Sequence, residues 1–293
     1  MKKMLFILNP CAGTKKANKA LTDILAIFNR AGYDVHTYVT AGPKDAIDAV
    51  KQYGPGTDTI VCCGGDGTFN ETITGLLENK LDIPIGYIPA GSTNDFAHSL
   101  HLSTTPTEAA QQIVDGSPEV LDLGQFDERF FSYIASFGAF TRASYATSQS
   151  MKNALGHMAY ILGGIRELSQ IHKIHARIEL DDEVLEDDYI FGAICNSTSV
   201  GGILSLNPEQ VDMSDGQFEV LLARSPKSLG ELTECIGAIR KHTYNCRMLS
   251  FRSAKQVKIH TEKELDWTLD GEKASAQCDV AVTNLYHAVR LIK

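Results

Sequence analysis

From residue 4 to about residue 115, short unbroken apolar runs alternate with stretches whose apolar residues recur every three or four positions. Met4–Leu8 (MLFIL) is continuous, the pattern of a strand buried on both faces. After the turn NPCAGTKK, Leu21, Ile24, Leu25 and Phe28 recur at helical spacing and predict a helix over 17–30, with Gly32 at its C-terminal cap. DVHTYVT reads as a second strand, PKDAIDAVKQYG as a second helix ending at Gly54, and TIVCC as a third strand. NETITGLLEN reads as a third helix and IPIGYI as a fourth strand. TPTEAAQQIVDG is a further helix, capped by Thr107 and ended by Gly116. Strands and helices alternating over this length imply a doubly wound parallel sheet with right-handed crossovers. Ligands then bind in the loops at the carboxyl ends of the strands. Four loops qualify, at 9–16, 40–44, 64–68 and 89–95.

The texture changes near Leu123. RFFSYIASFGAF is β-like and aromatic, and NALGHMAYILGGIREL carries a helical stripe of Ala154, Met158, Ile161, Leu162, Ile165 and Leu168. That stripe reads first as core packing. From Ala176 onward come short alternating runs (ARIEL, YIFGAICN, QFEVLLA, QVKIHTE, LDWTL, CDVAVTNL, AVRLI) punctuated by Asp-Gly and Asn-Pro turns, the signature of an antiparallel sheet or sandwich. The expected division is an α/β domain over 1–123 and an antiparallel β-sandwich over 124–293, whose end can pack back on the first domain.

Composition narrows the function. The 293 residues carry a net charge of −9 with 43% apolar and 22% charged residues, an ordinary globular balance. An acidic chain without a long basic run argues against nucleic acid as a partner and against a strongly electrostatic membrane anchor. No apolar stretch reaches the roughly 18 residues a spanning helix needs, and the run in MKKMLFILNP is too short for a signal peptide. The seven scattered cysteines show no CxxC pair, so reduced cytosolic thiols are expected and a zinc site is not.

Three loops carry the candidate chemistry. Gly64-Gly65-Asp66-Gly67-Thr68 follows the third strand. Glycines let the backbone turn sharply and approach a ligand, yet an acid inside an anion cradle would repel a phosphate. Thr68 and Glu71 have the spacing of a capping box, which accounts for those two residues but not for three glycines around one aspartate. PAGSTNDFA places Ser92, Thr93, Asn94 and Asp95 before a helix start, more polar groups than one cap needs. NPCAGTKK and the helix start after it add Asn9, Gly13 and the cations Lys15, Lys16 and Lys19, suited to phosphate but without Walker A spacing. Read unaided, VDMSDGQFEVLL (Asp212, Asp215) and WTLDGEKAS (Asp270, Glu272) are plain Asp-Gly turns. The nine scattered histidines and Trp267 are assigned no chemistry.

NPCAG, GGDGTFNETITGL and IPAGSTNDFA, in this order and at these separations, resemble the bacterial diacylglycerol kinase-like lipid kinases, a superfamily shared with sphingosine kinases, NAD kinases and, distantly, phosphofructokinases. LDLGQF, FSYIASFGAF, LGHMAYILGGI and DGQFEVLL extend the likeness more loosely over nearly the whole chain. The resemblance implies an NAD kinase/phosphofructokinase-like α/β domain, a C-terminal β-sandwich, ATP and Mg²⁺, and transfer of the γ-phosphate to a lipid hydroxyl. It implies nucleotide contacts from Asn9, Lys15 (or Lys16), Thr40, Gly64, Gly65, Asp66, Gly67, Thr68, Glu71, Thr93, Asn94 and Asp95. It implies a Mg²⁺ site supporting the domain structure at Asp212, Asp215 and the Gln217 carbonyl, whose hard oxygens suit that ion. It also implies a catalytic Asp270-Gly271-Glu272 turn. Glu272 is the preferred general base, Asp66 the organiser of Mg²⁺ and phosphates, and Asp66 the alternative base. Diacylglycerol is the leading acceptor, at a membrane surface the cytoplasmic protein visits transiently; a homodimer is compatible with the family. NAD kinase and a non-catalytic nucleotide-binding regulator are the competing readings, and FNETITGL and GSTNDFA follow the lipid-kinase pattern rather than that of NAD kinases.

Overall fold

A computed structural model describes residues 1–13, 15–92, 94–138, 172–200, 204–205 and 211–293. The chain forms two compact units, Met1–Asp122 with His287–Lys293, and Leu123–Tyr286. The expected helix around 154–168 lies outside the described residues.

The first unit contains β1 (Lys2–Leu8), α1 (Lys16–Arg30), β2 (Tyr33–Val39), α2 (Asp45–Tyr53), β3 (Thr59–Gly64), α3 (Asp66–Glu78), β4 (Ile85–Pro89), α4 (Asp95–Ser99) and α5 (Pro106–Asp115). The strands are parallel in the order β2-β1-β3-β4. The order reverses between β1 and β3, the place where doubly wound sheets open their binding crevice. The apolar runs lie at the centre: Met4, Phe6, Val61, Cys63 and Ile88 are fully buried, together with Ile24 and Phe28 of α1. Phe28 packs between Phe6 and Tyr33, with ring centroids 6.1 and 6.2 Å away. The last residues of the chain return to this sheet, Leu291 pairing in parallel with Ile85.

Two expected helix starts differ. α5 begins at Pro106 with Thr105, not Thr107, in the cap position. A proline has no N–H to satisfy and a φ already suited to the first helical turn, so it sets the start. α3 begins at Asp66, four residues before the predicted NETITGLLEN, so Asp66, Gly67 and Thr68 are its first turn rather than a loop.

The second unit holds β6 (Arg129–Phe131), β7 (Ile134–Gly138), β8 (Ile174–Leu180), β9 (Glu183–Cys195), the short pair β10 (Ser199–Val200) and β11 (Leu204–Ser205), β12 (Phe218–Arg224), α6 (Leu229–Arg240), β13 (Leu249–Ala254) and β14 (Gln256–Leu269). β5 (Pro118–Phe126) leads into it and β15 (Glu272–Ile292) leads out. Two long strands each serve two neighbours. The first half of β9 pairs with β8 and the second half with β7. β14 does the same, through residues 257–261 with β8 and 267–269 with β7, and its register is irregular between His260 and Trp267. Strands that bend from one layer to another in this way close a sandwich around a core. Phe126, Phe131, Phe137, Phe218 and Trp267 fill that core, with Phe126 and Phe137 both 4.9 Å from the Trp267 ring. Burying side chains of this size contributes ~1.5–3 kcal/mol each.

Candidate active site

In the first unit, the loops after β1, β3 and β4 meet closely enough to exclude side chains. A Cβ on Gly13 would lie 2.4 Å from the Ala90 carbonyl oxygen, and one on Gly91 would lie 2.7 Å from the Gly65 Cα. A Cβ on Gly64 would strike the Thr68 side chain at 2.6 Å. The glycines are therefore needed for loop-on-loop packing. Polar bonds fasten the same junction. The Asn9 amide donates to Thr68 Oγ1 at 2.9 Å, and Asn9 Oδ1 accepts from Cys11 N at 2.9 Å. Asn94 Oδ1 accepts from Gly91 N at 2.8 Å, and its amide donates to the Gly91 carbonyl at 3.1 Å. Thr40 is buried, with its N–H on the Leu8 carbonyl at 2.9 Å.

None of α1, α2, α3 and α4 is capped by the side chain of its own N-cap residue. Instead α3 supplies carboxylates to its neighbours. Glu71 accepts from Lys44 N at 2.7 Å and Ala46 N at 3.3 Å, capping α2. Asp66 Oδ2 accepts from Asp95 N at 3.3 Å, at the first residue of α4, while the Tyr87 hydroxyl lies 3.5 Å from Asp66 Oδ1. The expected Thr68–Glu71 capping box does not form. Asn9 takes the Thr68 hydroxyl and α2 takes the Glu71 carboxylate, so both residues fasten tertiary structure. An acid among the glycines is accommodated because an amide and a phenol face it.

Lys15, Lys44 and Asn94 each stand immediately before a helix with φ of 59°, 70° and 52°. Left-handed backbone is uncommon outside glycine and collects at binding sites. Lys15 is exposed at the β1–α1 loop, and Lys16 is the first residue of α1. Thr93 lies outside the described residues. Asn9, Lys15, Thr40, Gly64, Gly65, Asp66, Gly67, Thr68, Glu71, Asn94 and Asp95 all belong to the first unit, at the carboxyl ends of its strands.

Glu272, Asp270 and the three candidate metal ligands belong to the second unit. Leu269 pairs with Glu272 across a two-residue turn in which Asp270 and Gly271 have φ of 49° and 85°. Both φ values are positive, as a tight Asp-Gly hairpin turn requires. Asp270 is buried, its Oδ2 accepting from Ser132 N at 2.6 Å and its Oδ1 from Tyr133 N and Ile134 N at 3.0 and 3.1 Å. With both oxygens on main-chain donors, Asp270 holds the turn that presents the exposed Glu272.

Asp212 Oδ1 accepts from Ser214 N and Oγ at 3.0 and 2.7 Å, and Asp215 Oδ1 from Gln217 N at 2.9 Å. Among the described residues no group of three or more His, Cys, Asp or Glu side chains is placed to hold a metal ion. The two aspartates and the Gln217 carbonyl nevertheless suit a hard divalent cation. Beside them Glu219, 2% exposed, has a buried Oε2 without a hydrogen-bond partner among the described residues. Burial, with Asp215 and Asp212 adding negative charge, pushes its carboxyl up to about 8. The motifs did not reveal Tyr87 beside Asp66 or Glu219 beside Asp212 and Asp215, and each shows in the sequence only as a polar group inside an apolar strand run.

The diacylglycerol kinase catalytic domain family matches residues 3–126, and the YegS C-terminal NAD kinase beta sandwich-like domain matches residues 134–293. The diacylglycerol kinase of Bacillus subtilis strain 168 is 29% identical over 100% of this chain and 96% of its own length. That of Staphylococcus saprophyticus is 30% identical over 92% of this chain and 89% of its own. A solved Bacillus anthracis str. Sterne structure, 26% identical, superposes with a TM-score of 0.83 over 99% of this chain and 95% of that one. These likenesses bear out the expected fold class, an α/β domain followed by a β-sandwich-like domain. The chain belongs to the diacylglycerol kinase family, lipid kinases that are phosphotransferases with an alcohol acceptor.

Proposed function

We propose that the chain transfers the γ-phosphoryl group of ATP to the free hydroxyl of diacylglycerol, giving phosphatidic acid and ADP. The acceptor oxygen forms a bond to the γ-phosphorus, the bond from that phosphorus to the β–γ bridging oxygen breaks, and the hydroxyl proton goes to a carboxylate. The observation that carries the reading is the close packing of three glycine-bearing loops at the carboxyl ends of β1, β3 and β4, where a doubly wound sheet opens its binding crevice. Phosphoryl transfer demands positioning and charge neutralisation more than covalent help from the protein, and such a crevice supplies approach and donors.

In this reading Asn9, Thr40 and the Gly64–Thr68 segment hold the nucleotide, with the second loop, through Asn94 and Asp95, bracing it and Lys15 or Lys16 neutralising phosphate. Mg²⁺, when bound, would spread the phosphate charge, and Asp66 would be the carboxylate that holds it. The same ion class at Asp212, Asp215 and the Gln217 carbonyl would offset the negative charge around Glu219. Glu272, exposed on its turn, takes the acceptor's proton as general base. The lipid is met at a membrane surface by transient contact; no described helix is long and apolar enough to cross one.

The test is an acceptor panel with γ-labelled ATP and Mg²⁺: diacylglycerol, monoacylglycerol, a polyprenol, a sphingoid base, a glycolipid and NAD. Label on diacylglycerol above all others is expected. Label on NAD alone, or on no acceptor despite nucleotide binding, would overturn the reading.

A further inference from the structure

Tyr87 sits in the middle of β4, 1% exposed, with its ring against Phe69 at 4.5 Å between centroids. Phe69 in turn packs on Phe96 at 5.0 Å. A phenylalanine would fill this aromatic cluster without bringing a polar atom into it. A buried hydroxyl left unbonded costs ~1–3 kcal/mol, and among the described residues the one acceptor for this phenol is Asp66 Oδ1. Burial, reinforced by the nearby Asp66, also raises the phenol well above its ordinary value, so it remains a donor at any working pH.

We infer that Tyr87 is a positioning residue for Asp66: its phenol fixes Oδ1 while the Asp95 amide fixes Oδ2, so the carboxylate meets its ligand in one orientation. The inference rests on the proposed role of Asp66 in the nucleotide site. The 3.5 Å separation is longer than a relaxed hydroxyl–oxygen bond of ~2.7–2.8 Å. Bonds within active sites commonly tighten only when substrate is bound, and the aromatic cluster leaves the phenol aimed at Asp66 until then.

The experiment compares Tyr87→Phe, Asp66→Asn and the double variant for kcat, KM for ATP and melting temperature. A hydrogen bond to a charged group contributes ~1.5–3 kcal/mol. Tyr87→Phe is therefore expected to lower kcat about tenfold or more, with the KM for ATP within about twofold. In the Asp66→Asn background the same change should have no further effect. A Tyr87→Phe protein with wild-type kcat overturns the inference, whatever its melting temperature. Full activity in Asp66→Asn instead overturns the proposed site itself, so the two failures are distinguishable. Should Tyr87→Phe fail to fold, the wild-type Tyr87 hydroxyl proton is followed by NMR. A downfield movement on adding Mg²⁺ and ATP supports the inference, and an unmoved line refutes it.

Discussion

The Asn9 side-chain amide donates to Thr68 Oγ1 at 2.9 Å, tying the loop after β1 to the first turn of α3. Asn9 Oδ1 separately accepts from Cys11 N, so the two ends of one amide do different work. Asn9→Asp keeps the acceptor and loses the donor. The expected loss is ~1 kcal/mol of stability, with the KM for ATP raised about tenfold or more because a loop displaced by a fraction of an ångström no longer meets its ligand. Thermal melting and steady-state kinetics on the same samples check both parts; a raised KM without a stability change would mean that Asn9 contacts the nucleotide without bracing the loop.

Glu71 caps a helix other than its own, through Lys44 N and Ala46 N. Glu71→Ala should cost ~0.5–2 kcal/mol, the range for a lost N-terminal cap. The neutral but isosteric Glu71→Gln retains one acceptor and should recover part of it. Urea denaturation at constant slope reads the effect. Equal stability of all three proteins would remove Glu71 from this role.

The glycines separate into those that space allows to change and those it does not. Gly91→Ala brings a methyl to 2.7 Å from the Gly65 Cα, a backbone contact that no rotamer relieves. Nucleotide binding by calorimetry should fall beyond detection in that variant while the chain still folds. Gly237, inside α6 with nothing within 4 Å of a new Cβ, has the opposite expectation. Gly237→Ala should stabilise the protein by ~0.5–1 kcal/mol and leave binding unchanged.

The alternation of apolar runs made the parallel sheet and the antiparallel second unit legible, because buried strands such as Met4–Leu8 admit no polar residue. The glycine loops were legible too, as spacing. What each polar side chain does there was not. Thr68 and Glu71 have capping-box spacing, yet tertiary partners 59 and 25 or 27 residues away outcompete the local pair. Asp66 reads as loop because Gly67 follows it, although a carboxylate in a first helical turn is favourable. Helix α6 was missed although Ser228, whose hydroxyl accepts from Glu231 N at 3.2 Å, opens it as a cap should. Its Gly230 and Gly237 weaken the helical pattern. Cys62 and Cys63 are buried in β3, where burial pushes both thiols up and they pack as apolar residues.

His175 supplies a pH expectation. Its ring lies 3.0 Å from Asp188, whose hydrogen bond, with lesser help from Glu186 and Glu262, raises the imidazole above its ordinary value; Lys173 and His175 lower Asp188 in turn. A histidine raised on folding stabilises the native state fully below its unfolded value, and that contribution disappears as pH rises through the folded one. NMR titration of the His175 ring should give a midpoint above ~6.5, falling toward that value in Asp188→Asn. The site is exposed, so overall stability should move little. A His175 midpoint below the ordinary value would contradict the pairing.

The most direct measurement is transfer of label from γ-labelled ATP to diacylglycerol in mixed micelles with Mg²⁺, wild type against Asp66→Asn and Glu272→Ala. Labelled phosphatidic acid from the wild type is predicted, with the rate in each variant reduced ~10²-fold or more, the scale of a lost general base or charge-organising group. Undiminished transfer by Asp66→Asn, or no transfer by a folded, nucleotide-binding wild type, would contradict a phosphoryl-transfer site built on these glycine loops.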